Sequence, residues 1–154
     1  MRRWTSLSPA ETERVGMELA RQLMPNGLVL LTGPLGAGKT VLVKGLARGL
    51  GIDPREIQSP TFTLVREHQG TRGRLVHLDL YRLESEQTTS IGIDELLVGT
   101  GVKAVEWPER LPSDLRSTLA GLSVDIRLSE APERRDILAL PLSAGSAGSD
   151  YQET

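Results

Sequence analysis

Gly33-Pro34-Leu35-Gly36-Ala37-Gly38-Lys39-Thr40 carries the spacing G-x-x-x-x-G-K-[ST] and directly follows the apolar run Leu28-Val29-Leu30-Leu31-Thr32. The chemistry such a segment can do is phosphate binding. Its glycines let backbone N–H groups turn inward around phosphate oxygens, and a helix opening after the loop adds its positive N-terminal end. Lys39 would reach the outer phosphates, and the Thr40 hydroxyl would sit on Mg²⁺. Gly33, Leu35, Gly36, Ala37, Gly38, Lys39 and Thr40 are therefore the candidate residues for binding a nucleoside triphosphate with magnesium. The plainer alternative is a glycine-rich turn before an ordinary helix. It is disfavoured because strand, loop and helix patterns coincide here.

Hydrolysis would also require carboxylates that hold the metal and orient water. Asp79 and Glu106 stand near the ends of two expected strands, where ligands of open α/β sheets bind. Both are candidate catalytic and metal-contacting residues, with Thr40 as a third metal contact. Each could instead mark only a strand leaving the core. Ser59-Pro60-Thr61-Phe62-Thr63 admits two readings as well: a switch whose hydroxyls sense the outer phosphate, or a capped strand entry. Trp107 reads as core packing, His77 as packing or surface, and Arg82 as one half of a surface ion pair.

The elements that must position these residues follow from the rest of the chain. Its 154 residues allow one domain with a sizeable core, expected over 1–142. The Ser/Gly-rich stretch 143–154 is expected to be a disordered tail. The absence of cysteine excludes disulfides and Cys-ligated zinc. A net charge of −2, with basic residues scattered along the chain, argues against a broad nucleic-acid footprint. No apolar run is long enough to span a membrane, and the N-terminus lacks the apolar core of a signal peptide.

Ser8-Pro9-Ala10-Glu11 signals a helix start, and Val15, Leu19 and Leu23 give that helix one apolar stripe. The run 28–32 lacks polar alternation, as expected of a strand covered on both faces. Leu42, Val43, Leu46 and Leu50 form the inward face of the helix after the loop. Phe62–Gln69 and Arg74–Tyr81 flank the turn Gly70-Thr71-Arg72-Gly73, which predicts an antiparallel hairpin. Weaker helical signals occupy 85–98. Val102–Trp107, Leu122–Leu128 and Asp136–Leu142 complete the expected strands. The sum is an α/β fold, a three-layer domain with a mixed, partly antiparallel sheet.

Four segments together resemble the TsaE family of small bacterial P-loop ATPases required for tRNA threonylcarbamoyladenosine formation. They are Gly33–Thr40, Ser59–Val65, His77-Leu78-Asp79-Leu80-Tyr81-Arg82-Leu83 and Glu106-Trp107, in the family's order and approximate spacing. Ile91-Gly92-Ile93-Asp94-Glu95 and the first helix resemble it too, so the likeness covers about residues 8–142. It implies a P-loop NTPase fold and cytoplasmic, Mg²⁺-dependent ATP hydrolysis. That hydrolysis would support the TsaD–TsaB complex, with tRNA reached through the complex and no membrane involved. The complex modifies the adenosine beside the anticodon in tRNAs reading codons that begin with A.

By position, the resemblance makes Lys39 a phosphate ligand and Thr40 a magnesium ligand. It also makes Glu106 a contact of the metal or its water, Asp79 the Walker-B-like acid, and Thr61 the switch hydroxyl. Trp107 would belong to the functional surface, and nucleotide contacts are implied around Ser8 and 130–135. Pro34, where the family usually has an acidic residue, and Val41, often a threonine, depart from the pattern. Two other functions fit the same loop: a small-molecule kinase, for which no Arg-rich lid is apparent, and a nucleotide-binding adaptor without turnover. A GTPase is disfavoured, since the chain lacks an N-K-x-D-like base-reading motif.

Overall fold

In the computed structural model, residues 1–58, 64–83 and 92–142 are described. Their elements, in chain order, are β1 (Arg2–Ser6), α1 (Pro9–Leu23), β2 (Leu28–Thr32), α2 (Lys39–Gly49), β3 (Val65–Gln69) and β4 (Arg74–Asp79). There follow α3 (Ile93–Leu97), β5 (Val102–Glu106), α4 (Ser113–Arg116), β6 (Gly121–Leu128) and β7 (Arg135–Leu142). Thr61 with the whole of 59–63, residues 84–91, and the tail 143–154 lie outside the described residues.

The seven strands form one sheet in the order β1-β7-β6-β2-β5-β4-β3. Its centre, β6-β2-β5-β4, is parallel, while β7, β1 and β3 are added antiparallel at the flanks. The expected mixed sheet is thus a parallel centre with antiparallel margins. Parallel strands are buried on both faces, and β2 and β5 are accordingly apolar with little alternation.

One face of the sheet packs under α1 and α2. Val29, Leu31, Leu75, Ala104 and Val124 meet Leu19, Leu42, Val43 and Leu46 there. On the other face, Leu28, Leu30, Leu78 and Val105 meet Ile93 and Leu97 of α3 and Leu111 and Leu119 around α4. Among the described residues, no helix is long and apolar enough to cross a membrane.

The start of α1 follows its sequence signal, with one twist. Ser8 Oγ accepts the Glu11 backbone N–H at 3.2 Å, as an N-cap should. The Glu11 carboxylate reaches one residue further back than a capping box requires and accepts from Leu7 N–H at 2.6 Å. The strand β1 has no counterpart among the sequence expectations. It lies at the edge of the described sheet, pairs with β7 and exposes Arg2 and Arg3, so it carries no apolar alternation to read.

Helix α1 lies against α2 at backbone range. A β-carbon at Gly45 would fall 2.0 Å from the Glu13 carbonyl oxygen and 2.9 Å from the Gly16 Cα. Neither atom can yield without separating the helices. Gly45→Ala is therefore expected to lower stability by about 2–3 kcal/mol, read as a reduced urea midpoint at unchanged denaturant slope.

Candidate functional site

The loop between β2 and α2 closes on itself through backbone and lysine. Gly33 has φ 146°, and a β-carbon there would strike the Ile126 carbonyl oxygen at 2.6 Å. Gly38, the residue that opens α2, has φ 109°, and no side chain caps the helix. The first N–H groups of α2 are thus left to whatever the loop encloses. Pro34 contributes its carbonyl, which accepts from Ala37 N–H at 3.1 Å. The start of α1 lies alongside, where Thr12 approaches Gly38 and shares a hydrogen bond of 2.7 Å with Ser6.

Arg135, the first residue of β7, braces the loop from outside. Its Nε donates to Ala37 O at 2.9 Å and Nη2 to Gly36 O at 3.4 Å, while Nη1 holds the Pro132 and Arg134 carbonyls. With these carbonyls turned outward to the guanidinium, the loop's inner side is left to N–H groups.

Lys39 is buried, and its Nζ donates to Gly33 O at 2.7 Å across the loop's base. The same ammonium sits 3.6 Å above the centre of the Trp107 ring, a cation–π contact. Burial lowers the Lys39 pKa below the usual lysine value. The negative charges of Glu106, Glu109 and Asp79 partly offset this.

Facing the lysine are the ends of β5 and β4. The parallel register sets Glu106 opposite both Leu31 and Asp79, so the two acids end their strands at one level. Both are buried. Asp79 Oδ1 accepts the Tyr81 backbone N–H at 3.0 Å. Glu106 Oε1 lies 3.5 Å from Thr40 Oγ1, and Glu106 Oε2 lies 2.5 Å from His77 Nε2. Lys39, Thr40, Asp79, Glu106, Tyr81, Arg82 and Trp107 line one cleft of about 480 Å³ together with Leu35, Gly36 and Gly38.

Comparison with known proteins decides the family. The family described as threonylcarbamoyl adenosine biosynthesis protein TsaE matches residues 6–137. The chain belongs to the TsaE family. A TsaE of Treponema pallidum is 46% identical over 125 residues, which is 80% of this chain and 91% of the relative. A Synechocystis TsaE is 50% identical over 105 residues, 66% of each chain. The crystal structure of Bacillus subtilis YdiB superposes with a TM-score of 0.70 at 31% identity, covering 92% of this chain and 86% of that one.

Within this TsaE-family chain, the structure brings together every described candidate residue except Gly33 and Ala37, which shape the loop without lining the cleft. Trp107 and His77 differ from their plain sequence readings, and Arg135, which the sequence does not single out, joins them. Trp107 is only partly buried and forms a cleft wall. Its backbone takes the left-handed conformation at φ 60°, uncommon outside glycine, and its ring stands 4.8 Å from that of Tyr81. His77 is wholly buried and bonded to Glu106. Arg135, inside the 130–135 stretch that the resemblance linked to nucleotide, contacts the loop's backbone. A basic residue opening a late strand carries no local signal of a partner 98 positions away.

If Arg135 holds the loop in shape, Arg135→Ala should speed amide hydrogen exchange at Ala37, whose N–H is bonded to Pro34 O, by ~10-fold or more. Exchange in β2 should stay unchanged. Equal protection at the loop in both proteins would show that the brace is idle.

Proposed function

We propose that this chain is a magnesium-dependent ATP hydrolase acting in tRNA threonylcarbamoyladenosine biosynthesis, in the cytoplasm, with TsaD and TsaB as partners and tRNA reached through them. The observation that carries the reading is the convergence on one cleft of a phosphate-type loop, a lysine, a hydroxyl and two carboxylates. A loop alone supports nucleotide binding; acids aligned beside it support turnover. The family's printed description and those of the relatives supply the process.

In this mechanism the N–H groups of the loop and of the first turn of α2 bind the phosphates, with Gly33, Leu35, Gly36, Ala37, Gly38, Lys39 and Thr40 forming the cradle. Lys39 exchanges the Gly33 carbonyl and the Trp107 face for a phosphate oxygen, a charge-assisted bond that favours its protonated form. Glu106 orients the attacking water, and Asp79 supplies the second negative wall of the cleft. Thr61, beyond the described residues, is proposed to sense the outer phosphate with its hydroxyl.

The donor set suits magnesium. Thr40, Glu106 and Asp79 offer hard oxygens into one cleft, and no group of three metal-ligating acidic, His or Cys side chains exists among the described residues. Magnesium typically binds through one or two carboxylates plus phosphate oxygens and water, without a full protein cage. When bound, the ion would neutralise charge on the outer phosphates.

Two substitutions test the assignment. Lys39→Ala should weaken triphosphate binding by ~10²-fold or more in calorimetric titration, about 2.7 kcal/mol. Unchanged affinity and turnover would remove the site. Glu106→Ala should retain binding while phosphate release slows by ~10²-fold. The process is tested by reconstituting tRNA modification from TsaD, TsaB and tRNA with and without this chain. Labelled phosphate on a small acceptor instead would identify a kinase.

A further inference from the structure

His77 takes no part in the mechanism above, yet it is built against one of that mechanism's central groups. It lies on β4 two residues before Asp79, on the sheet face that α2 covers, and its side chain is fully buried. Nε2 stands 2.5 Å from Glu106 Oε2. A carboxylate oxygen only accepts, so Nε2 carries the hydrogen in this bond. Nδ1 has no hydrogen-bond partner among the described residues. The ring therefore spends its polarity on one neighbour.

The arrangement divides the labour of the two Glu106 oxygens. Oε2 is taken by a histidine beneath the helix, and Oε1 faces the Thr40 hydroxyl at the cleft, 3.5 Å away. A glutamate side chain left to itself has three torsions to populate, most of which would point Oε1 away from Thr40. The register adds a second constraint. Ala104 lies opposite His77 in the β4–β5 ladder, and Asp79 lies opposite Glu106. The small side chain at 104 leaves room for the imidazole to lean one pair along the ladder toward Glu106.

We propose that His77 is a positioning residue: its Nε2–H holds Glu106 Oε2 so that Oε1 stays aimed at Thr40 and the phosphate cleft. The functional consequence rests on the ATP hydrolysis proposed above, whereas the hydrogen bond itself does not. Losing such an outer partner typically costs ~10- to 100-fold in activity or metal affinity.

The test has two arms, both on the full chain. In nucleotide-free protein, proton NMR should reveal an exchange-protected imidazole N–H for His77, shifted downfield by the carboxylate. The chain has two histidines, and His68→Gln separates their signals. Glu106→Ala should abolish the resonance or move it upfield. A His77 signal indifferent to Glu106→Ala would overturn the proposal.

The second arm compares His77→Leu, which removes the donor at similar bulk, with His77→Gln, whose side-chain amide N–H can replace it. The leucine variant should lose ~10-fold or more in kcat with triphosphate affinity within ~2-fold of wild type, and the glutamine variant should recover most of the loss. In a Glu106→Ala background, His77→Leu should cost nothing further. Equal activities of the two variants, both normal or both impaired, would overturn the proposal. If the leucine variant does not fold, a glutamine variant as slow as Glu106→Ala would do the same. Absence of any ATP hydrolysis by the wild-type chain, both alone and with TsaD, TsaB and tRNA, would sink the functional reading, and the NMR arm would still decide the bond.

Discussion

The parallel ladder of β2, β5 and β4 ends three strands at one level, and the rest of the site hangs on that register. Leu31 lies beside Glu106 and Glu106 beside Asp79. The first strand delivers the loop, and the other two deliver acids to face it. A shift of one residue in either pairing would turn Glu106 or Asp79 toward the α3 face of the sheet and bury it among leucines. Apolar packing on both faces fixes the register, so the core and the cleft are specified together.

The loop itself recruits little side-chain chemistry. Its inner surface is backbone, made possible by positive φ at glycines and by the helix that opens behind it. What the side chains do is hold that backbone: Arg135 from outside, Lys39 across the base. Lys39 also rests on Trp107, so the cation that would meet phosphate is already stored in a partly desolvated place.

Much of this was legible in the order of residues, and the exceptions have a common cause. The loop, the Ser8 cap, the hairpin ending in Asp79 and the buried strand 28–32 are local patterns, each specified within a few residues. The edge strand β1 is invisible because backbone pairing with β7 holds it, and of its five side chains only Trp4 is an apolar group turned to the core. His77 reads as packing or surface and Arg135 has no reading of its own, because their meaning comes from partners 29 and 98 positions away. By residue type Trp107 reads as core, whereas the resemblance puts it on the functional surface, and the sharp turn after Glu106 brings it to the cleft. Each miss is a tertiary contact that overrides what a residue type suggests alone.

The two flanking strands carry a further consequence for how the molecule comes into being. Among the described strands, β1 comes earliest in the chain but pairs with β7, which comes latest and also supplies Arg135. A nascent chain therefore contains the loop, Asp79 and Glu106 well before it contains the brace. Proteolytic clipping ahead of residue 135 would return a finished molecule to that state, with its whole motif intact. The cleft is thereby tied to a strand that lies far along the chain from its own motif.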